Sequence, residues 1–345
     1  MSDIEIRKAG RAGRITLNRP DVLNALTWDM CLAIEGALDA WAADDEVALV
    51  IIDGAGERAF CAGGDIAEMY RTGREGDFDY GRGFWADEYR MNAKVFEFPK
   101  PYVALMQGFT MGGGVGVSCH GSHRVVGTSS RIAMPECAIG LVPDVGGSMI
   151  LSQAPGRMGE YLGTTGYRMG PSDAILAGFA DYFVPEDSWP ALIGTLEESG
   201  DVAEVDRAAK LAPPAPLKDM QAAIDRHFKG ATLGDVMRSL DHDHDAFSAT
   251  ARKALLQGSP LAMACAYEMI GRVRGTRGIR RALEMEYRFT YRAGEQSDFL
   301  EGIRAAIIDK DRRPNWRHDG PEDVTVQEVA KMLMPLGADR LTFGD

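Results

Sequence analysis

The sequence predicts an α/β fold in which most strand pairs are parallel. Short runs that are apolar throughout, bounded by glycine or proline, alternate with segments of helical periodicity. Fully apolar strands are typical of parallel sheets that are buried on both faces. Past a proline-rich stretch at 211–218 only helical patterns follow. This order predicts an α/β core with a helical C-terminal region.

The elements of the core follow from local signals. Helical periodicity after Thr27 predicts a helix at 27–43, and adjacent Gly63 and Gly64 predict a loop over 59–65. The predicted strands are 13–17, 47–53, 102–106, 124–127 and 131–134, and the other predicted helices are 84–98 and a short buried one at 114–121.

The connector carries Pro213, Pro214 and Pro216 and is therefore stiff. Helical periods after it predict helices at 222–228, 232–240, 247–257, 261–274 and 279–293. We therefore expect a core over residues 1–214 and a helical region over residues 215–345.

Composition excludes several classes of function. The chain has 38 basic and 51 acidic side chains, a formal charge of −13, which argues against a nucleic-acid-binding protein. Five scattered cysteines without a CxxC pair predict reduced thiols. Residues 1–8 form no signal peptide, and no apolar run is long enough to span a membrane, so a cytoplasmic location is predicted.

The segment from Pro101 to Gly147 carries the strongest chemical signal. An apolar strand ends in a glycine cluster, 112–116, and two carboxylates follow, Glu136 and Asp144. Backbone N–H groups at such glycines can hold an oxyanion, and paired acids can move protons or attack a carbonyl. Apolar neighbours predict that both acids are buried, which raises a carboxyl pKa. The pattern indicates acyl-transfer chemistry.

These residues resemble the crotonase superfamily (enoyl-CoA hydratase/isomerase). The resemblance rests on Asn18-Arg19-Pro20, Asn24-Ala25-Leu26, Phe60-Cys61-Ala62-Gly63-Gly64-Asp65 and the glycine cluster, and it covers roughly residues 15–184. It implies a crotonase (ClpP-like) spiral of ββα units, followed by helices that cover an acyl pocket.

Within the superfamily the sequence is most similar to the 3-hydroxyisobutyryl-CoA hydrolase family. The motifs are Asp87-Glu88-Tyr89, Thr110 to Gly116, Met134-Pro135-Glu136, Pro143 to Gly147, Glu284 to Arg288, Gly302 to Ala305 and Asp309 to Asp311. This similarity implies hydrolysis of a short branched 3-hydroxyacyl-CoA, foremost 3-hydroxyisobutyryl-CoA in valine breakdown.

The resemblance also assigns site residues. It implies that Gly64 and Gly113 donate the oxyanion-hole N–H groups, and that Glu136 and Asp144 are catalytic. Gly113, Glu136, Asp144 and Glu88 would also contact the substrate, with Glu88 accepting a hydrogen bond from the substrate hydroxyl. We favour Glu136 as base or nucleophile and Asp144 as the group that positions the acyl chain or water, although the two roles can be exchanged.

Two other functions are open. Hydratases of the superfamily usually carry a catalytic glutamate just after the glycine cluster, where this chain has Gly116. This glycine argues against an enoyl-CoA hydratase or isomerase. A non-catalytic acyl-CoA-binding protein would have no need of both acids and both glycine clusters.

No metal or redox cofactor is expected, since CoA is part of the substrate. The run Asp241-His242-Asp243-His244-Asp245 is interpreted as a solvated acidic turn rather than a metal site. Cys61 and Cys137 are interpreted as packing groups. The expected partner is an acyl-CoA, with no nucleic acid and no membrane, and the family resemblance allows a homo-oligomer. Arg19 and Lys94 are candidates for binding the CoA phosphates.

Overall fold

The computed structural model describes residues 2–344, which fall into two units. The sheet unit comprises residues 2–65, 87–133 and 168–216, and the helical unit comprises 66–86, 134–167 and 217–344. The last crossing, after Pro216, lies two residues beyond the predicted boundary at 214. The sequence predicts a single boundary between the two parts of the chain. The structure differs, because residues 66–86 and 134–167 also group with the C-terminal helices.

The main sheet of the sheet unit has six strands in the order β1-β2-β3-β5-β7-β9. Only β1 and β2 pair antiparallel; the other pairs are parallel, as the apolar strand patterns predict. The strands are β1 Ile4–Ala9, β2 Ala12–Leu17, β3 Leu49–Gly54, β5 Tyr102–Met106, β7 His123–Val126 and β9 Tyr182–Phe183.

Residues on one face of this sheet form the core of the unit. Ile51, Val103 and Val125 lie on neighbouring strands and are fully buried. Trp189, Leu192 and Leu196 of a later helix pack in the same cluster. Burying such side chains contributes about 1.5–3 kcal/mol each relative to exposure, so the sheet is a rigid support for the loops at its strand ends.

A second sheet holds three short parallel strands, β4 Ala59–Cys61, β6 Phe109–Met111 and β8 Arg131–Ala133. The predicted loop at 59–65 is therefore wrong for its first three residues. Phe60 is fully buried and Ala59–Cys61 pairs with β6, a long-range contact that the adjacent glycines conceal. Gly63 and Gly64 follow β4 directly.

The remaining elements of the sheet unit are helices. Thr27 accepts a hydrogen bond from the N–H of Met30 and so caps α1, which agrees with the predicted helix at 27–43. The helices are α1 Trp28–Ala42, α4 Gly113–Ser118, α7 Pro171–Leu176, α8 Trp189–Ser199 and α9 Glu204–Ala208; α3 Asp79–Glu97 enters this unit at residue 87.

The helical unit contains no strand within the described residues. The five helices predicted after the connector all form. Among residues 2–344, no helix is both long enough and apolar enough to cross a membrane. The helices are α2 Ala67–Arg74, α5 Gly147–Gln153, α6 Met158–Thr165, α10 Pro216–His227, α11 Leu233–His242, α12 Ala246–Leu255, α13 Pro260–Val273, α14 Arg280–Gln296, α15 Phe299–Ile303 and α16 Val326–Met332.

Candidate active site

The turn before Leu26 fixes the position of Gly64. The N–H of Leu26 donates to the carbonyl of Gly63 (2.9 Å), and the N–H of Asp65 donates to the carbonyl of Leu26 (2.7 Å). In this parallel pairing Leu26 forms hydrogen bonds with Gly63 and Asp65, the residues on either side of its partner Gly64. The N–H of Gly64 itself therefore faces away from Leu26.

Asn24 explains why the sequence carries Asn24-Ala25-Leu26 at this turn. Its side-chain amide donates to the carbonyls of Ala55 and Ala59, both at 2.9 Å, and its carbonyl oxygen accepts from the N–H of Arg19 at 2.8 Å. Asn24 adopts φ 56°, a left-handed conformation that asparagine tolerates better than most residues. The buried side chain thus ties the turn to β4.

Gly113 is the first residue of α4, so its N–H has no acceptor within the helix. A Cβ atom on Gly113 would lie 3.4 Å from the nitrogen of Gly64 and 2.9 Å from Oε1 of Glu88. Three of the predicted site residues therefore meet at one point in the sheet unit. Two glycine N–H groups beside a carboxylate can hold an oxyanion next to a hydroxyl group, and the roles that the resemblance implies for them stay predictions.

Glu88 lies on α3 and is only 2% exposed. Its neighbours tie α3 to α1: the indole N–H of Trp28 donates to Asp87 (2.8 Å), and Arg90 donates to both carboxylate oxygens of Glu35 (2.7 Å each). A buried glutamate between two such anchors is not a solvated surface acid. The substrate-contact role that the resemblance implies for Glu88 stays a prediction.

The predicted acids Glu136 and Asp144 lie in the helical unit on one buried segment. Glu136 opens a 3₁₀ turn, Glu136–Ile139, and its carbonyl accepts from the N–H of Leu141. Glu136 and Asp144 are 6% and 4% exposed, as the apolar neighbours predict. Burial of two carboxyl groups on one short segment is the environment in which proton transfer or nucleophilic attack is favoured.

A third buried acid, Glu286 on α14, was not singled out from the sequence. It is fully buried, and its carboxyl oxygens accept hydrogen bonds from the N–H groups of Gly146 (2.8 Å) and Ser148 (3.0 Å) and from the Ser148 hydroxyl. Burial, assisted by the charge of Asp144, raises the pKa of Glu286 to about 8. The sequence pattern that indicates a buried acid here is the position of Glu286 on the apolar face of α14, between Leu283 and Phe289.

The thiols near these residues behave as packing groups. Burial raises the pKa of Cys61 to about 12 and raises that of Cys137 well above the usual thiol range. A thiol that stays protonated at neutral pH is a poor nucleophile. The interpretation of Cys61 and Cys137 as packing residues is supported.

Gly116, where a hydratase would carry its first glutamate, is buried inside α4. Its N–H donates to the carbonyl of Gly112 (3.2 Å). The position therefore lies in the helix that begins at Gly113 but offers no carboxylate.

Two acids of the run 241–245, Asp243 and Asp245, lie close to His227, which comes from another helix of the helical unit. Ligand atoms of His227, Asp243 and Asp245 lie within 4.8 Å of one another. Arg226 donates to Asp243 (3.0 Å) and is 3.1 Å from Asp245, which also caps α12. The guanidinium already neutralises these carboxylates, which favours an ion-paired turn over a metal site.

The two candidates for the CoA phosphates are engaged with acids. Arg19 bonds Asp65 (3.0 Å) and the carbonyl of Ala25, and Lys94 pairs with Asp39 and with Glu35 (3.1 Å). Both cations therefore stabilise local structure. A role in phosphate binding would require each to exchange these partners.

Comparison with known proteins identifies the family. The model of the enoyl-CoA hydratase/isomerase family matches residues 12–333. The chain belongs to this family. It is 37% identical to the mitochondrial 3-hydroxyisobutyryl-CoA hydrolase of Danio rerio, over 97% of this chain and 90% of that protein. It is 34% identical to the human protein of the same name, over 99% and 91% of the two chains.

Solved structures agree on the fold. An enoyl-CoA hydratase from Rhodobacter sphaeroides is 58% identical and superposes with a TM-score of 0.96, covering 99% of this chain and 100% of that one. A carnitinyl-CoA dehydratase from Mycobacterium thermoresistibile is 37% identical, with a TM-score of 0.95 over 100% and 99%. The predicted crotonase fold with a helical C-terminal region is confirmed, as is an enzyme of the acyl-CoA thioester hydrolase class.

Proposed function

We propose that this enzyme hydrolyses a short branched 3-hydroxyacyl-CoA, with 3-hydroxyisobutyryl-CoA of valine breakdown as its foremost substrate. The observation that carries the proposal is the placement of the acids. Gly116 leaves α4 without a carboxylate, whereas Glu136 and Asp144 are both buried on one segment. Hydration by a pair of acids requires the carboxylate that is missing, and hydrolysis does not.

The proposed chemistry requires stabilisation of the thioester oxyanion. The carbonyl oxygen of a thioester gains negative charge when its carbon is attacked, and the N–H groups of Gly64 and Gly113 can donate to it. Removing one such donor typically costs about 3 kcal/mol of transition-state stabilisation.

Glu136 and Asp144 are the proposed acids, and two routes are consistent with them. In one, a carboxylate oxygen of Glu136 attacks the carbonyl carbon, the carbon–sulfur bond breaks, and CoA leaves as a thiolate; water then hydrolyses the acyl anhydride. In the other, Glu136 takes a proton from water as the water oxygen attacks the carbonyl carbon; the carbon–sulfur bond then breaks, and CoA leaves as a thiolate that can regain the proton. In both, Asp144 orients the acyl chain or the water.

Glu88 supplies recognition of the 3-hydroxyl group. Its Oε1 atom lies beside Gly113, next to the oxyanion donors. A buried carboxylate that accepts a hydrogen bond from a substrate hydroxyl discriminates against an analogue without it, because that hydrogen bond is then lost. We expect 3-hydroxyisobutyryl-CoA to be preferred over isobutyryl-CoA.

Enoyl-CoA hydration is the second candidate. It is favoured by the name of the 58% identical protein from Rhodobacter sphaeroides. The two functions differ in their products, since hydrolysis releases a free thiol and hydration removes a carbon–carbon double bond.

The deciding experiment follows free CoA with a thiol reagent during incubation with 3-hydroxyisobutyryl-CoA, isobutyryl-CoA and crotonyl-CoA, while the absorbance of the crotonyl double bond is recorded in parallel. We expect rapid thiol release from the first substrate, slower release from the second, and little loss of the double bond from the third. Efficient hydration of crotonyl-CoA without thiol release would overturn the proposal. Binding of all three without turnover would indicate a non-catalytic protein.

Absence of a metal or redox cofactor stays a prediction, as do a cytoplasmic location and the homo-oligomer. The vertebrate relatives are named mitochondrial, which concerns those proteins.

A further inference from the structure

The backbone directly after Asp144 adopts an unusual conformation. Val145 has φ 52° and Gly146 has φ 80°, so two consecutive residues are left-handed. Glycine adopts this conformation readily, but a β-branched residue rarely does. Such a backbone persists only where the surrounding structure determines it.

The side chain of Glu286 provides that restraint. It accepts from the N–H groups of Gly146 (2.8 Å) and Ser148 (3.0 Å) and from the hydroxyl of Ser148. Helix α5, which begins at Gly147, has no side-chain cap of its own. Glu286 therefore caps the N-terminus of α5 from another helix, α14, as a local Ser or Asp caps an ordinary helix.

Capping alone does not explain a glutamate at this position. Glu286 is fully buried, and in the described part of the chain it forms no ion pair with Lys or Arg. By contrast Glu160, which is 1% exposed, pairs with Arg157 and Arg274. Burying an acid without a cation is costly, and a local N-cap would satisfy α5 without that cost.

The hydrogen bonds connect Glu286 to the proposed catalytic acid. Gly146 is two residues from Asp144, and the carbonyl of Asp144 accepts from the N–H of Gly147 at 2.6 Å, within the same turn. Three hydrogen bonds from the Glu286 side chain to Gly146 and Ser148 leave this turn little freedom. We infer that Glu286 is a positioning residue, which holds the left-handed turn after Asp144 and so fixes the direction of the Asp144 carboxylate. This inference rests on the proposed role of Asp144 in hydrolysis.

The test uses two substitutions of different severity. Glu286→Met has a similar length and removes both acceptor oxygens, whereas Glu286→Gln keeps one of them. A displacement of about 1 Å in a catalytic group can cost roughly a hundredfold in rate. We expect kcat to fall by about a hundredfold in Glu286→Met and by about tenfold in Glu286→Gln, with KM changed less than about threefold in both.

Glu160→Gln is the matched control, since it also alters a buried glutamate of the helical unit. It should lower the melting temperature and leave kcat unchanged. Hydrogen–deuterium exchange of residues 144–148 is the second readout and needs no substrate: exchange should accelerate locally in both Glu286 variants and not in Glu160→Gln.

The outcomes separate this inference from the proposed function. If wild-type enzyme turns over a different acyl-CoA, the proposed function fails, and the variants are compared on that substrate. If Glu286→Met does not fold, Glu286→Gln decides. An unchanged kcat in a folded Glu286 variant, or unchanged exchange at 144–148, would overturn the inference.

Discussion

Gly113 occupies a space in which a side chain cannot fit without displacing Gly64 and Glu88, two residues of the proposed site. A Cβ atom there would lie 2.9 Å from Glu88 Oε1 and 3.4 Å from the Gly64 nitrogen. Gly113→Ala should therefore push the two N–H donors and Glu88 apart and lower kcat by about a hundredfold. Steady-state thiol release measures the effect.

Gly36 provides the control for this substitution within the same unit. It lies in α1, and a Cβ atom there meets no other atom within 4 Å. Gly36→Ala should keep full activity and stabilise the protein by roughly 0.4–1 kcal/mol, because alanine favours the helix. Equal activity of the two alanine variants would exclude Gly113 from the oxyanion hole.

The acid pair yields the second residue-scale prediction. Glu136→Gln and Asp144→Asn keep size and hydrogen bonding but remove charge and basicity. If Glu136 is the base or nucleophile, its amide variant should lose about a thousandfold or more in kcat. Asp144→Asn should lose a similar or smaller factor.

The double variant tests whether the two acids act jointly. Groups that act as one unit are strongly non-additive, so Glu136→Gln/Asp144→Asn should be little worse than the worse single variant. A near-normal kcat in Glu136→Gln would contradict the assignment. A double loss equal to the product of the single losses would indicate independent roles.

At this scale the sequence predicted residues whose chemistry is visible locally. Glu136 and Asp144 stand among apolar neighbours and prolines, and Gly64 and Gly113 stand in glycine pairs, so each has a nearby signal. Glu286 has no signal beyond its place on the apolar face of α14, because its partners Gly146 and Ser148 are 140 and 138 positions away in the chain. Only the folded helical unit brings them together.

Helices and strands also divide into those that local sequence predicts and those that depend on long-range contacts. Helix α1 and strand β5 agree with prediction, because a Thr cap and a wholly apolar run define them locally. Strand β1 was missed, since four of its six residues are exposed, and only pairing with β2 makes it a strand. Helix α3 begins at Asp79, five residues before the predicted start, in a stretch of Gly81 and Gly83 with weak helical propensity.

The attachment of α3 to α1 gives an element-scale prediction. Arg90 donates to both oxygens of Glu35, which is 7% exposed. Although burial opposes ionisation, hydrogen bonds from Arg90 and Lys94 lower the pKa of Glu35. Arg90→Leu should leave a buried carboxylate poorly paired and reduce the free energy of unfolding by about 1–3 kcal/mol, as measured by urea denaturation.

Arg71→Leu is the comparison for that experiment. Arg71 pairs with Glu68 and Glu75 on the surface of α2, and its side chain is 55% exposed. Exposed pairs contribute little, so the loss should be below about 1 kcal/mol. Equal losses in the two variants would show that the Arg90–Glu35 pair does not hold α3.

For the whole molecule, the grouping of segments into units was the least predictable feature. The sequence indicates a boundary near 214 through three prolines, and the chain does cross between units after Pro216. The crossings at 65/66, 86/87, 133/134 and 167/168 carry no comparable marker. One of them, at 86/87, lies inside α3, where local sequence cannot reveal it.

The stability of the whole molecule should depend on the protonation of Glu286. Burial, with the charge of Asp144, raises the pKa of Glu286 to about 8 from an ordinary value of 4.5. Between these values the folded chain holds a proton that the unfolded chain has lost, so stability falls as pH rises. This contribution is complete below about pH 4.5 and is lost progressively up to about pH 8.

Glu286→Gln cannot titrate and should lack this dependence. Urea denaturation at pH 5, 6, 7 and 8 should show the wild type losing stability relative to Glu286→Gln as pH rises, by a few kcal/mol in total, since each pKa unit corresponds to about 1.36 kcal/mol. Asp144→Asn removes the neighbouring like charge, which lowers the pKa of Glu286 and should reduce the slope. Parallel curves for wild type and Glu286→Gln from pH 5 to 8 would show that Glu286 does not keep its proton in the folded enzyme.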